Sequence, residues 1–599
     1  MQLPRRQADS THAQVNKLFY YLSQTPAVWK RLLKGINYPL PPVPPTSRYS
    51  LGGLSSCEAE RLVIRTLSLN HAWEAEVPDC YHEWRFHAQH RVKSMVLLPG
   101  SQYLVASVSD YREKNHSIVI WMLDHTYAYS VPLAKNPVSS KAYNLQARYM
   151  TVGGRRGITI SFVCRGFKHA SDARKGFNLS QISGDYDVDP PCPLVYECTV
   201  LHAALDSLES VGDPRLIPGS QAFIDHARSQ PPPFRRIAII KSTRCLGPAT
   251  MDEILGSPYL AIVRYPNTIM FKNLDGGAIS TLTPTTIPLR PDLSQCDYSI
   301  MTMRLLPVQN QILVVRKIHD SSPGRVHSPK DVYTIEFFDV PLNLSGKPLD
   351  ATPACVGRVL HTDEILHEVY ITDHYIPAST DESLNKQVFG SDTRPPRPIS
   401  IIARGIDKYD TAGVLRFTIY PEKVETLSPS TSPTATSAAS SLDSEFPWLF
   451  PYKQETQYKY TFKSNNETRF ILAPVDCVYH ILPGSYRSIF YSISDDDHSD
   501  TPTMLTIAGY WDDECLKPPS AEQLADGKWF DKSRHKLRKF AFDGNKDVGV
   551  SVMAWDETIG RLCMMGAGSH IVYVLDFAKT PREGEVFPLV SFAAVLNGH

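Results

Sequence analysis

The stretch CYHEWRFHAQH sets Cys80, His82, His87 and His90 close together. Thiolate and imidazole are zinc ligands, but a zinc site needs three or four converging ligands and this spacing matches no zinc pattern. Exposed histidines on a loop are the plainer reading. SDDDHSD, residues 494–500, offers carboxylates to a hard cation but lacks the glycine and the distal glutamate of an EF-hand loop. It reads as an acidic hairpin tip. HTDEILHEVY carries a His-Glu pair without the second histidine of a zinc-protease helix, and the G-x-S-x-G elbow is absent. The phosphate loop G-x-x-x-x-G-K-[ST] is absent too, and GAGSHI stops short of the last glycine of G-x-G-x-x-G. A nucleophile assembled from distant segments is the remaining enzymatic route. The expectation is a chain that is not an enzyme, with no catalytic residue, no metal and no cofactor.

What must such a chain position instead? Its 599 residues are 42% hydrophobic and 21% charged, with 62 basic and 62 acidic side chains. A zero formal charge gives no whole-chain field toward nucleic acid or anionic lipid, so protein partners are expected, with no nucleic acid and no membrane. The basic stretch KSRHKLRK is a solvated face or a local phosphate or localisation site. Eleven scattered cysteines without a C-x-x-C pair, and no signal-peptide pattern, point to reduced thiols in the cytoplasm or nucleus.

The elements are mostly short strands. QYLVASVSD and SIVIWMLD are two apolar runs joined by a polar loop, a hairpin pattern. PYLAIVRYPNTIMFKNLD and GRLCMMGAGSHIVYVLD repeat it, each ending in an aromatic residue and then Leu-Asp: Trp121 to Asp124, Phe271 to Asp275, Tyr573 to Asp576. VYTIEFFDV is a looser copy. A second recurring element is VLLPG, RLLPV and HILPG, where an apolar run stops at proline and a new run begins near Tyr103, Ile312 and Ile489. Proline ends a ladder and presets a turn, so each copy marks the same place in a repeating unit. Antiparallel units that cannot bury both faces alone predict a mainly β fold, a β-propeller of four-stranded blades. The apolar runs group into about seven blades, with six and eight also compatible. The apolar run at 585–596 is expected to close the ring, and Trp121, Phe271 and Tyr573 to pack between blades.

The organisation read from the chain is a helical segment over 1–36, a proline-rich spacer over 37–53, a packing helix over 54–72, and the propeller over 73–599. A Ser/Thr/Pro-rich insertion at 426–445 is expected to be disordered. In the packing helix, Ala59, Leu62, Val63, Thr66 and Leu67 are expected on one buried face.

The N-terminal segment VNKLFYYLSQTPAVWKRLL forms two short amphipathic patterns, with Thr25 as a cap and Pro26 at the first helical position. Val15, Lys17, Phe19, Leu22, Pro26, Trp29 and Leu32 resemble the second half of an F-box. With the repeats that follow, the chain resembles fungal F-box proteins that carry a WD40-like C-terminal β-propeller. That resemblance implies a non-catalytic, intracellular substrate receptor of SCF-type cullin–RING ubiquitin ligases. The N-terminal segment would touch the ligase adaptor through Leu3, Pro4, Val15, Leu18, Phe19, Leu22, Pro26, Trp29 and Leu32, and the propeller would hold an unknown substrate protein. The family motif opens with Leu-Pro-x-Glu and a further helix. Here Leu3 and Pro4 lead into RRQADSTHAQ and then directly to Val15. The module is thus expected to be truncated, with reduced adaptor binding. The alternative is a propeller scaffold with no ubiquitin role.

Overall fold

The computed structural model describes residues 25–35, 56–74, 80–125, 128–173, 179, 192–285, 296–307, 310–320, 331–341, 348–351, 355–360, 365–372, 399–406, 412–423, 448–461, 480–484, 487–492, 504–509, 537–541, 550–566 and 568–579. The spacer at 37–53, the insertion at 426–445, the acidic stretch at 494–500 and the tail at 585–596 lie outside them.

The strands form seven sheets, each containing four antiparallel strands, and in six of them these follow chain order from first to fourth. Blade 1 is Arg91–Leu97, Tyr103–Ser109, His116–His125 and Ala128–Val138. Blade 2 is Tyr143–Val152, Arg155–Phe167, Leu194–Ala204 and Phe234–Ser242. Blade 3 is Leu246–Ile254, Ser257–Arg264, Thr268–Asn273 and Ile279–Pro284. Blade 4 is Cys296–Leu306, Gln311–Asp320, Val332–Asp339 and Cys355–Leu360, and blade 5 is Ile365–Ile371, Ile399–Ile406, Ala412–Lys423 and Trp448–Thr461. Blade 6 is His480–Leu482, Arg487–Ser492, Met504–Gly509 and Leu537–Ala541. Blade 7 takes Val550–Asp556, Arg561–Gly566 and Ile571–Asp576 from the C-terminal part of the chain, and its fourth strand, His82–His87, from the N-terminal part. First strands of successive blades pack side by side from blade 6 through blades 7 and 1 to blade 5. The chain is a seven-bladed β-propeller preceded by short helices.

The burial patterns follow from this arrangement. A second strand lies between neighbouring strands and between neighbouring blades, so it has no wet face. Tyr103–Ser109 is buried throughout, and Ser257–Arg264 nearly so, which is why both read as continuous apolar runs. Outer strands alternate instead. In His82–His87 only Trp84 and Phe86 are buried, and in Phe234–Ser242 Arg235, Arg236 and Lys241 are exposed. Charges along an edge discourage pairing with other chains. Trp121 packs with Phe86, Leu97 and Val574 between blades 7 and 1, and Phe271 with Ile300, Met303 and Leu305 between blades 3 and 4.

Both recurring motifs fall at fixed places in the blade. VLLPG, RLLPV and HILPG end the first strands of blades 1, 4 and 6. The turns that follow first strands use left-handed backbone at Gly100, Gly153, Gly256, Asn310 and Gly560. The aromatic-Leu-Asp ends close third strands. A feature with no sequence signal also repeats: six first strands slip register near their starts. The slips fall between Val92 and Ser94, Tyr143 and Gln146, Leu246 and Ala249, Ile300 and Thr302, Leu366 and Glu368, and Val550 and Val552. A bulge bends and twists its strand, here at the same end of each blade.

Blade 3 gains a fifth strand. Pro348–Ala351, from the connection between the third and fourth strands of blade 4, pairs in parallel with Ile279–Pro284 and covers that edge.

The ring closes differently from the sequence expectation. The closing strand is His82–His87, with Trp84 opposite Val574 and Phe86 opposite Val572, while 585–596 lies outside the described residues. A buried ion network holds this seam. Arg561 Nε and Nη2 donate to the two carboxylate oxygens of Asp576 at 2.6 and 2.8 Å. Its Nη1 and Nη2 donate to Asp124 of blade 1 at 2.6 and 3.1 Å. Asp556 accepts from Ser101 of blade 1 at 2.8 Å. Asp124 and Asp576 are the terminal aspartates of two copies of the third-strand motif.

The helix Ser56–Glu74 is built into this closure. Ala59, Val63, Thr66, Leu69 and Trp73 form its buried stripe. Leu67, expected on that face, is 51% exposed, because the stripe continues through Leu69 and Trp73 rather than through the neighbouring position. The Trp73 ring stacks on Trp555 at 5.4 Å and meets Phe577 edge-on at 5.2 Å. Leu69 sits against Gly560, whose φ is +69°, and a Cβ there would lie 2.3 Å from Leu69 Cδ1. Glycine is required twice over at that turn, by backbone and by space.

Candidate protein-binding surfaces

The first surface is the N-terminal helix. Of the residues that the F-box resemblance assigns to adaptor binding, Leu3, Pro4, Val15, Leu18, Phe19 and Leu22 lie outside the described residues. Pro26, Trp29 and Leu32 lie on the helix Pro26–Gly35. Proline suits its first turn, where a missing N–H leaves no intrahelical bond unmade. The Val28 N–H donates to the Thr25 carbonyl at 3.1 Å, which starts the helix. This helix packs along Ser56–Glu74. Trp29 is half-buried, while Val28 and Leu32 are 37% and 48% exposed.

The second surface is the upper face of the propeller, defined as the end where the first strands begin. The loops between second and third strands and the links between blades emerge there. At the boundary of blades 1 and 2 it gathers charge. Arg91 and Lys93 come from the first strand of blade 1, and Glu113 from the 110–115 loop. Glu113 ion-pairs with Lys93 and lies 4.0 Å from Arg91. That loop is held by Asp110, whose carboxylate accepts from Lys114 N and Asn115 Nδ2, each at 2.8 Å.

Lys141 lies on the link to blade 2, which is fixed by its neighbour. Ser140 Oγ donates to the Arg165 carbonyl at 2.8 Å and accepts from Arg165 N at 3.1 Å. The Arg165 guanidinium lies 4.2 Å from the Tyr143 ring centroid and 5.9 Å from that of Tyr196, its cross-strand partner. The Lys141 ammonium lies 5.1 Å from the Tyr143 ring. Among the described residues no carboxylate stands within ion-pair distance of it. Burial, with Lys93 beside it, holds Lys141 below the usual lysine range, and Glu113 opposes the shift. None of these residues stood out in the sequence. They are single cations and tyrosines on separate strands, and only the closed ring brings them together.

The histidines of the opening stretch do not converge. His82 lies 3.9 Å from Asp576, His87 stacks on His570 at 5.8 Å, and His90 meets Lys135 at 2.8 Å. They sit on and beside the closing strand rather than on a loop. Among the described residues, no three His, Cys, Asp or Glu side chains are grouped to hold a metal, and no helix is long and apolar enough to cross a membrane.

No family model matches the sequence, and no curated protein matches it. Among solved structures the chain is similar to the β-propeller domain of Cps50 (Swd1) from Myceliophteria thermophila, at 10% identity over 83% of this chain and 99% of that chain, with a TM-score of 0.39. It is similar to the WD40 domain of SCAP from fission yeast, at 7% identity over 83% of each chain, with a TM-score of 0.36. A chain of the Chaetomium thermophilum Polycomb Repressive Complex 2 shares 9% identity over 84% of this chain and 98% of its own, with a TM-score of 0.37. The fold assignment rests on the seven sheets and their register.

Proposed function

We propose that this chain is a non-catalytic receptor that holds another polypeptide on its propeller and offers its N-terminal helices to a second protein. The observation that carries this reading is the burial of the helix Ser56–Glu74 into the ring closure. Through it the Pro26–Gly35 helix has a fixed seat beside the propeller, while Val28 and Leu32 stay exposed. Large apolar side chains left on the wet side of a helix suit a protein contact.

The finer form of the proposal is a substrate receptor of an SCF-type ubiquitin ligase. Its support is the spacing of Val15, Phe19, Leu22, Pro26, Trp29 and Leu32. The competing form is a propeller scaffold with no ubiquitin role, supported by the direct run from RRQADSTHAQ into Val15 where the family has a further helix.

Capture of the ligase adaptor separates the two. The full chain is expected to retain adaptor, and Val28→Asp with Leu32→Asp to reduce retention about tenfold or more, the scale of losing central apolar anchors. A chain that retains no adaptor, or one whose retention the double substitution leaves unchanged, removes the ligase reading. Deleting residues 1–36 without loss of any other partner would then favour the scaffold.

A further inference from the structure

We infer that His202 is a proton-sensitive catch: when its imidazole takes up a proton, blade 2 loosens at the root of its helical insertion, residues 205–233. The inference is independent of the receptor reading.

Topology places the residue. The third strand of blade 2 ends at Ala204 and the fourth begins at Phe234, with the helices Leu205–Val211 and Gln221–Ser229 between them. The register sets Ala203 opposite Phe234 and His202 opposite Arg235. His202 therefore sits where the insertion leaves the sheet and rejoins it. Leu205, Leu208 and Val211 seat the insertion in the core shared by blades 1 and 2, and Phe223 and Ala227 pack against that core.

The seat is built for a neutral ring. His202 is 4% exposed. It shares a strand face with Cys198 and Val200, which pack with Leu260 and Ile262 of blade 3. On the second strand, Thr159 Oγ1 lies 3.1 Å from His202 Nδ1. Gly157 makes room for the ring, since a Cβ there would lie 2.5 Å from His202 Cε1. An imidazolium donates from both nitrogens, but Nε2 is buried and makes no hydrogen bond among the described residues.

The charged groups around the ring come from several elements. Arg155 of the second strand and Arg235 of the fourth oppose a proton there, and Asp206, in the first turn of the insertion, favours one. Asp206 is itself paired with Arg155 at 3.0 Å. From blade 3, Glu253 accepts from Thr151 N and Asp275 from Gly153 N. Burial, with the Arg155 and Arg235 guanidinium groups, holds His202 down to about 4, while the Arg155 backbone and Asp206 pull the other way. In a locally opened blade the ring returns to its ordinary value near about 6.5. The open form then takes the proton first. The stability of the root is full above that ordinary value and is lost as pH falls toward the folded value.

The test is hydrogen exchange read by mass spectrometry on the full chain at about pH 7 and about pH 5, with rates corrected for intrinsic exchange. Protection across 194–242 is expected to fall about tenfold or more between the two, while the blade 3 strand Ser257–Arg264 changes less. His202→Asn keeps a polar group beside Thr159, and His202→Phe fills the seat without a titratable group. Each should flatten the response of 194–242. A thermal melt shows that each variant is folded.

A response in a folded variant equal to that of the unsubstituted chain overturns the inference. So does unchanged protection of 194–242 in the unsubstituted chain, or an equal fall in blades 2 and 3. These last two outcomes need no variant, so the inference stays open to refutation even where neither substitution folds.

Discussion

Replacing Arg561 with methionine is expected to destabilise the protein by about 3–5 kcal/mol, the cost of stripping a buried carboxylate of its two-bond guanidinium partner. Arg561 and Asp576 have side chains 1% and 6% exposed, so neither can recover its hydration. Asp124, the other partner, is 41% exposed. Asp124→Asn should therefore cost far less, about 0–1 kcal/mol, because water takes over the vacated bond. Denaturant unfolding of the two variants beside the unsubstituted chain measures the difference.

The pH dependence gives a second, signed readout. Burial pushes the Asp576 carboxyl up, but the charge and hydrogen bonds of Arg561, with a contribution from His82, outweigh it and hold the group well below the usual carboxylate range. A depressed carboxylate contributes stability that is present above its unfolded value, near about 3.9, and is lost as pH falls through the folded value. The unsubstituted chain should thus lose this contribution only in strong acid. In Arg561→Met only His82 and Arg65 are left to oppose the burial of the same carboxyl, and its pKa is expected to rise above the unfolded value. The sign reverses: the deficit is largest at neutral pH and shrinks as pH falls toward about 4. A deficit independent of pH would mean that lost packing, not lost charge pairing, dominates.

Trp73→Ala is expected to cost a further large amount, about 3–5 kcal/mol, the usual range for emptying a buried aromatic site. Trp73 is 1% exposed and lies against Trp555 and Phe577, with the Arg487 guanidinium 6.0 Å from its ring. Its loss unfastens the end of Ser56–Glu74 that leads into the closing strand. Leu67→Ala, on the same helix but 51% exposed, should change stability by less than about 0.5 kcal/mol. Limited proteolysis reports the local effect: cleavage within 56–74 should accelerate in Trp73→Ala and stay slow in Leu67→Ala. Equal behaviour of the two variants would show that the helix is not part of the closure.

The repeating hairpins were legible because their signals are local. Proline after an apolar run, as at Pro99, Pro307 and Pro483, and an aromatic-Leu-Asp end, as at Asp124 and Asp576, are read within a few residues. The closing strand was not. HEWRFH does alternate, with Trp84 and Phe86 buried between polar neighbours, but its partner Ile571–Asp576 lies at the other end of the chain. Phe234–Ser242 and Leu246–Ile254 lie only three residues apart, yet the first is the outer strand of blade 2 and the second opens blade 3. Nothing local distinguishes a strand that ends one blade from a strand that begins the next. Register slips, and the parallel strand Pro348–Ala351, depend on a neighbouring sheet and leave no pattern of their own.

The candidate site divides in the same way. Val28, Trp29 and Leu32 were legible as a helical pattern, since their spacing is enough to define a face. Lys141, Arg165, Tyr143 and Tyr196 were not. Their proximity comes from the Ser140 link and from the pairing of Arg165 with Tyr196, both products of the folded blade.

Hydrogen exchange of the strand His82–His87 tests the closed wheel most directly. If this strand completes blade 7, its amides exchange as slowly as those of Ile571–Asp576, and Arg561→Met accelerates both together. Exchange of 82–87 at the rate of a free segment, while 571–576 and the blade 1 strands remain protected, would contradict it and leave the ring without its seam.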